Sequence, residues 1–144
     1  MALLCVVLVS FLTSYPTHAE WVTYSEGLVR ADSTQTLILV EVYTDWCAFC
    51  KKLERRVLSR EDVKSVLEKH YTTVKLDAED ETPLARIGDQ TLDGRTLARK
   101  YGATTFPTCL ILSSNGRLLK KLVGYPPPQD FLSFLRSPLT ETTK

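Results

Sequence analysis

The 144 residues are enough for one domain with its own core, and 44% hydrophobic with 24% charged side chains exclude a disordered chain. Against 17 acidic side chains stand 18 basic ones, a formal charge of +1 that gives no electrostatic reason to expect nucleic acid or an anionic membrane as partner.

Residues 1–19 contain no Lys, Arg, Asp or Glu. An apolar run from Ala2 to Leu12 is followed by Ser14, Pro16 and Thr17-His18-Ala19 before Glu20. That is the layout of a secretory signal peptide, although the positively charged start is missing; the other reading is a buried N-terminal helix. An apolar run of about eleven residues falls short of the roughly twenty that span a bilayer. The expected mature domain is therefore 20–144, periplasmic or otherwise exported. Cys5 lies in the leader, leaving Cys47, Cys50 and Cys109, an odd set in which at least one thiol stays free or exchanges.

Trp21 to Ala31 reads as a short strand or turn running into an amphipathic helix, with Tyr24, Leu28 and Ala31 at helical spacing. Asp32 to Thr36 is turn-like. Leu37-Ile38-Leu39-Val40-Glu41-Val42-Tyr43 is an apolar strand interrupted by one carboxylate, suited to burial on both faces of a sheet. A helix should begin at the cysteine pair. Ser59 is the expected N-cap of a second one reaching His70. Tyr71 to Asp77 returns to strand chemistry. Glu79 to Gln90, acidic and broken by Pro83 and Gly88, reads as a loop or short irregular helix. Asp93 to Tyr101 is a helix closed by Gly102. Thr108 to Leu112 and Arg117 to Val123 are strands joined by a Ser114-Asn115-Gly116 turn. Pro127 to Leu135 forms a last helix with Phe131, Phe134 and Leu135 inward. Alternation in the first half predicts parallel strands with crossover helices, and the hairpin adds an antiparallel pair.

Three chemistries fit Cys47-Ala48-Phe49-Cys50: a redox pair, half of a metal site or a structural clip. At a strand-to-helix junction the free N–H groups and the helix dipole favour a thiolate at Cys47. Cys50, one turn on, can attack a mixed disulfide formed there, so an exposed nucleophile is paired with a more buried resolving thiol. Trp46 would give substrates an apolar surface. A closed zinc site needs four ligands, and only Cys109, His70 and His18 remain, so no metal is expected. A clip across two residues closes a very short loop and constrains the unfolded chain little. Glu41, inside an apolar strand, should have a raised pKa and could take the proton of Cys50, or could simply reach water at a sheet edge. Cys109 reads as core filler, with a third redox or regulatory thiol as the alternative. Lys51 and Lys52 could help hold a thiolate at Cys47, although lysines on a helix are most often a solvated face.

Trp46-Cys47-Ala48-Phe49-Cys50-Lys51 after an apolar strand, together with Tyr101-Gly102-Ala103-Thr104-Thr105-Phe106-Pro107-Thr108 and a strand-turn-strand ending at Gly124, resembles the thioredoxin superfamily. The stretch from Val42 to Glu54 is most similar to exported thioredoxin-related proteins and the C-terminal thioredoxin-like domain of the transmembrane reductase DsbD. The resemblance implies an α/β thioredoxin fold, a central mixed sheet covered by helices on both faces. It implies Cys47 as attacking and Cys50 as resolving cysteine, Glu41 at the position of a buried acid, and Pro107 as a cis-proline. Trp46, Thr105 and Phe106 would contact substrate. No cofactor is implied. The implied partners are disulfide-containing proteins and a membrane thiol donor, with the chain a monomer. The Ala48-Phe49 dipeptide carries no histidine to stabilise the thiolate, which favours a reductant or electron relay. The other class of function is a thioredoxin-like binding or chaperone module using a surface of Trp46, Phe106 and Tyr125.

Overall fold

The computed structural model describes residues 20–87 and 89–141. The expected signal peptide at 1–19, with Cys5 and His18, lies outside the described residues. Strand β1 (Trp21–Val22) leads into α1 (Tyr24–Thr34), which opens with a capping box: Glu26 N–H donates to Thr23 Oγ1 and Thr23 N–H to Glu26 Oε2. The helix runs through Asp32 to Thr34, where a turn was expected. The Ser33 and Thr34 hydroxyls both donate to Arg30 O and tie down the last turn before Gln35 turns left-handed at φ 55°.

The central strand β2 (Leu37–Tyr43) runs parallel to β3 (Tyr71–Asp77) and antiparallel to β6 (Thr108–Leu112). With β7 (Leu118–Val123) they form a sheet of order β1-β3-β2-β6-β7. Because side chains alternate along a strand, β2 feeds two cores. Ile38, Val40 and Val42 pack with Tyr24 and Ala31 of α1 and with Leu97 and Ala98 of α4 (Gly94–Lys100). Leu39 packs on the other face with Leu53 of α2 (Ala48–Leu53), Val63 and Leu67 of α3 (Glu61–His70), and Phe131 and Leu135 of α5 (Pro128–Glu141). Helices cover both faces, as expected. Gly27 lets α1 lie close on β3: a Cβ there would come within 2.2 Å of Val74 Cγ2.

Four further local readings change. The Ser59 hydroxyl turns back to Arg55 O at 2.8 Å, so Arg60 rather than Ser59 is the N-cap of α3. Between α2 and α3 the helix widens into a π-helical turn at Glu54–Leu58. The segment read as a loop contains a small hairpin, β4 (Ala85–Ile87) against β5 (Gln90–Leu92), anchored by buried Leu92. Helix α5 passes its expected end at Leu135 and contains Pro138, which cannot donate to Phe134 O. The Ser137 hydroxyl donates to that carbonyl instead, at 2.8 Å.

Candidate active site

The site forms where β2 hands over to α2. Cys47 is the N-cap of α2, with extended backbone (φ −74°, ψ 100°), and its N–H donates to Thr44 O at 3.1 Å. Cys47 and Cys50 are joined as a disulfide with their Cα atoms 5.3 Å apart, and Cys50 N–H donates to Cys47 Sγ at 3.1 Å. A sulfur at this N-cap thus receives a backbone donor and the positive end of the helix, both of which stabilise a thiolate when the pair is reduced. The expectation of an exposed Cys47 changes: in the disulfide Cys47 is 4% exposed and Cys50 2%. What reaches solvent is the flanking pair, Trp46 at 67% and Phe49 at 59%.

Two aromatic contacts border the disulfide. Trp46 meets Phe106 edge-on at 6.2 Å, which brings the Thr105-Phe106-Pro107 loop beside the cysteine loop, and Trp46 Nε1–H donates to Glu79 Oε1 at 3.0 Å. The Phe106–Pro107 bond is cis. The loop is held by Thr108 Oγ1–H on Thr105 O and by Gly124 N–H on Pro107 O. Thr105 is exposed and Pro107 buried. Beside the cysteine loop, Phe49 lies 6.5 Å from Tyr125, whose ring carries Lys52 Nζ at 4.6 Å. In the sequence the Ala48-Phe49 dipeptide shows only that it lacks a histidine. Only the exposure of Phe49 and the return of Tyr125 after β7 give it a role.

Glu41 occupies the sheet face that α2, α3 and α5 cover, in register with Lys75 on β3 and Cys109 on β6. It is wholly buried, which rules out the sheet-edge alternative, and neither carboxylate oxygen has a hydrogen-bond partner. Lys75 Nζ is 3.8 Å from Oε2, near enough for attraction and too far for a hydrogen bond. Burial lifts the Glu41 carboxyl from the usual 4.5 to about 7; Lys75 pulls against that rise and Glu54 adds to it. Burial also raises the Cys109 thiol, and the Glu41 charge pushes the same way, so this cysteine stays a protonated core side chain. Lys75 and Glu54 were missed in the sequence. The signal available was a lysine in an otherwise buried strand, opposite the one carboxylate of the strand beside it.

Among the described residues, no helix is long and apolar enough to cross a membrane, and no cluster of three or more His, Cys, Asp or Glu side chains forms a potential metal site.

The sequence model of a family described as a thioredoxin-like domain matches residues 24–137. The chain is 28% identical over 131 residues to a protein disulfide-isomerase of Ricinus communis, a match covering 83% of this chain and 24% of that protein. It is 23% identical over 111 residues to a disulfide bond reductase, DsbH, of Chlamydia pneumoniae, covering 76% of this chain and 65% of that one. The chain therefore spans about a quarter of the length of the curated disulfide-isomerases that it matches. Among solved structures, a thioredoxin from Thermus thermophilus superposes with a TM-score of 0.71 at 24% identity, over 86% of this chain and 89% of that one, a likeness of fold.

Proposed function

The chain belongs to the thioredoxin-like family, and from that premise we propose that it is an exported thiol–disulfide oxidoreductase acting as a reductant or electron relay for protein disulfides. The observation that carries the reading is the Cys47–Cys50 disulfide at the start of α2, with a backbone N–H on Cys47 Sγ and Trp46 and Phe106 beside it.

In the reduced protein, Cys47 thiolate attacks one sulfur of a substrate disulfide, forming a mixed disulfide and releasing the other substrate sulfur as thiolate. Cys50, losing its proton to Glu41, then attacks Cys47 Sγ and releases the second substrate sulfur. The substrate has gained two electrons, and the protein is left with the Cys47–Cys50 disulfide described above. Trp46 and Phe106 receive the polypeptide next to the attacked cysteine, and exposed Thr105, before buried Pro107, offers backbone to an extended segment. A membrane thiol donor returns the electrons, and no cofactor takes part. The apolar leader at 1–19 supports export, and the chain works as a monomer.

The test is insulin reduction under dithiothreitol. Wild type accelerates it and Cys47→Ser falls to the uncatalysed background; a wild type without dithiol exchange overturns the reading. The reduction potential of the pair decides the direction. A value near that of thioredoxin, about −270 mV, supports a reductant, and one near that of DsbA, about −120 mV, overturns that part.

A further inference from the structure

Lys75 is the one cation set against Glu41 in the strand register, yet its hydrogen bond goes elsewhere. The ammonium donates to Glu54 Oε1 on the π-helical turn and stops 3.8 Å short of Glu41 Oε2. Its position is further held by the rings of Tyr43, at 5.2 Å, and Trp21, at 5.8 Å. Two carboxylates therefore compete for one lysine, and the half-buried one has it. Glu41 keeps two oxygens with no hydrogen bond in a dry interior, where a carboxylate is costly. We infer that Glu54 is a positioning residue: by holding the Lys75 ammonium it keeps that cation from closing onto Glu41 in a hydrogen bond and leaves the buried carboxyl able to take a proton. The inference rests on the proton-acceptor role proposed above for Glu41.

The arrangement also faces water. Lys75 and Glu54 line a surface groove of about 260 Å³ with Trp21, Leu58, Ser59 and Lys64, so the pair meets solvent on the flank of the molecule. Tyr43 on its own strand and Cys109 on β6 also feel the Glu41 charge, both with raised pKa values and so neutral near pH 7, while Cys50 of α2 is held in the disulfide of the oxidised chain. The wide turn that carries Glu54 begins four residues after Cys50, and π-turns inside α-helices are frequent at functional sites.

The test is the titration of Glu41, read from carboxyl carbon shifts in the oxidised full-length chain without substrate. That readout does not depend on catalysis, so a failure of insulin reduction and a failure here are separate results. Glu54→Gln removes the competitor, and Lys75 can move onto Glu41; the Glu41 midpoint is expected to fall by about one pH unit. In a Lys75→Met background the same substitution should move it by less than half as much, because Glu54 acts through the lysine. An unmoved midpoint in Glu54→Gln overturns the inference. So does an equal fall in the Lys75→Met background, which would make Glu54 a direct through-space influence. In the exchange reaction, Glu54→Gln should carry the limb of the pH profile governed by Glu41 downward with the midpoint.

Discussion

Two buried polar clusters lie on opposite sides of the sheet, and they are finished differently. On the α1/α4 side, Tyr24 and Tyr101 join hydroxyl to hydroxyl at 2.6 Å, and Tyr101 Oη–H donates to Gly116 O at 2.9 Å. On the α2/α3/α5 side, Glu41 has neither oxygen bonded. A satisfied buried hydroxyl pair fastens a turn to two helices and adds to stability. A buried carboxyl without a hydrogen bond subtracts from stability whenever it is ionised. One cluster is fully hydrogen-bonded, and the other leaves its carboxyl without a hydrogen bond.

The largest expected effect breaks the contrast at Glu41. A carboxyl raised from 4.5 to about 7 holds a proton in the folded state that it has lost in the unfolded one. Stability should therefore fall as pH rises through that window, by on the order of 3 kcal/mol in all. Glu41→Leu, which leaves nothing polar to desolvate, should abolish that slope. The oxidised variant should then be more stable than wild type by about this amount at pH 9, while its thiol exchange is at least about tenfold slower. Urea denaturation of both oxidised proteins at pH 4.5 and 9 checks it; a wild-type stability that does not decline across the window sinks the account of Glu41. Next in size is the opposite cluster. Tyr101→Phe strands the Tyr24 hydroxyl and the Gly116 carbonyl and should cost about 2 kcal/mol, the same at both pH values, with exchange unchanged. A loss of exchange there would mean that the two faces are not separable.

Legibility in the sequence follows the same division. Strand β2 was read to the residue because seven apolar or neutral-capable side chains between turn signals have one good solution in a sheet covered on both faces. The ends of α4 were equally plain, since Asp93 accepts from Thr96 N–H at 2.7 Å and Gly102 turns left-handed. Cys47, Cys50, Trp46 and Phe106 come together because two motifs distant in sequence meet at one end of neighbouring strands. What stayed hidden depends on partners no local pattern names. Among the described side chains of the β4–β5 hairpin Leu92 is the buried anchor, and the Ser59 hydroxyl had a carbonyl to satisfy within its own helix. The Lys75–Glu54 pair requires knowing both the β2–β3 register and a π-turn, and nothing in residues 54–58 announces that turn.

The smallest expected effect tests how dry the Glu41 face is. Cys109 stands opposite Glu41 across β2 and β6, is 1% exposed and packs with Leu39 and Ile111. Its thiol is neutral, so Cys109→Ala removes volume and no charge. The cost should be about 1 kcal/mol for the small cavity, with the Glu41 midpoint almost unmoved. In the native oxidised protein, alkylation at Cys109, followed by peptide mass mapping at pH 8, should proceed no faster than the protein opens. Both the burial and the nearby Glu41 charge disfavour the thiolate that the reagent needs. Rapid labelling would mean that water reaches this face freely, and a hydrated Glu41 would have no reason to hold its proton near neutral pH. The slow thiol and the raised carboxyl therefore stand or fall together, as consequences of the same burial.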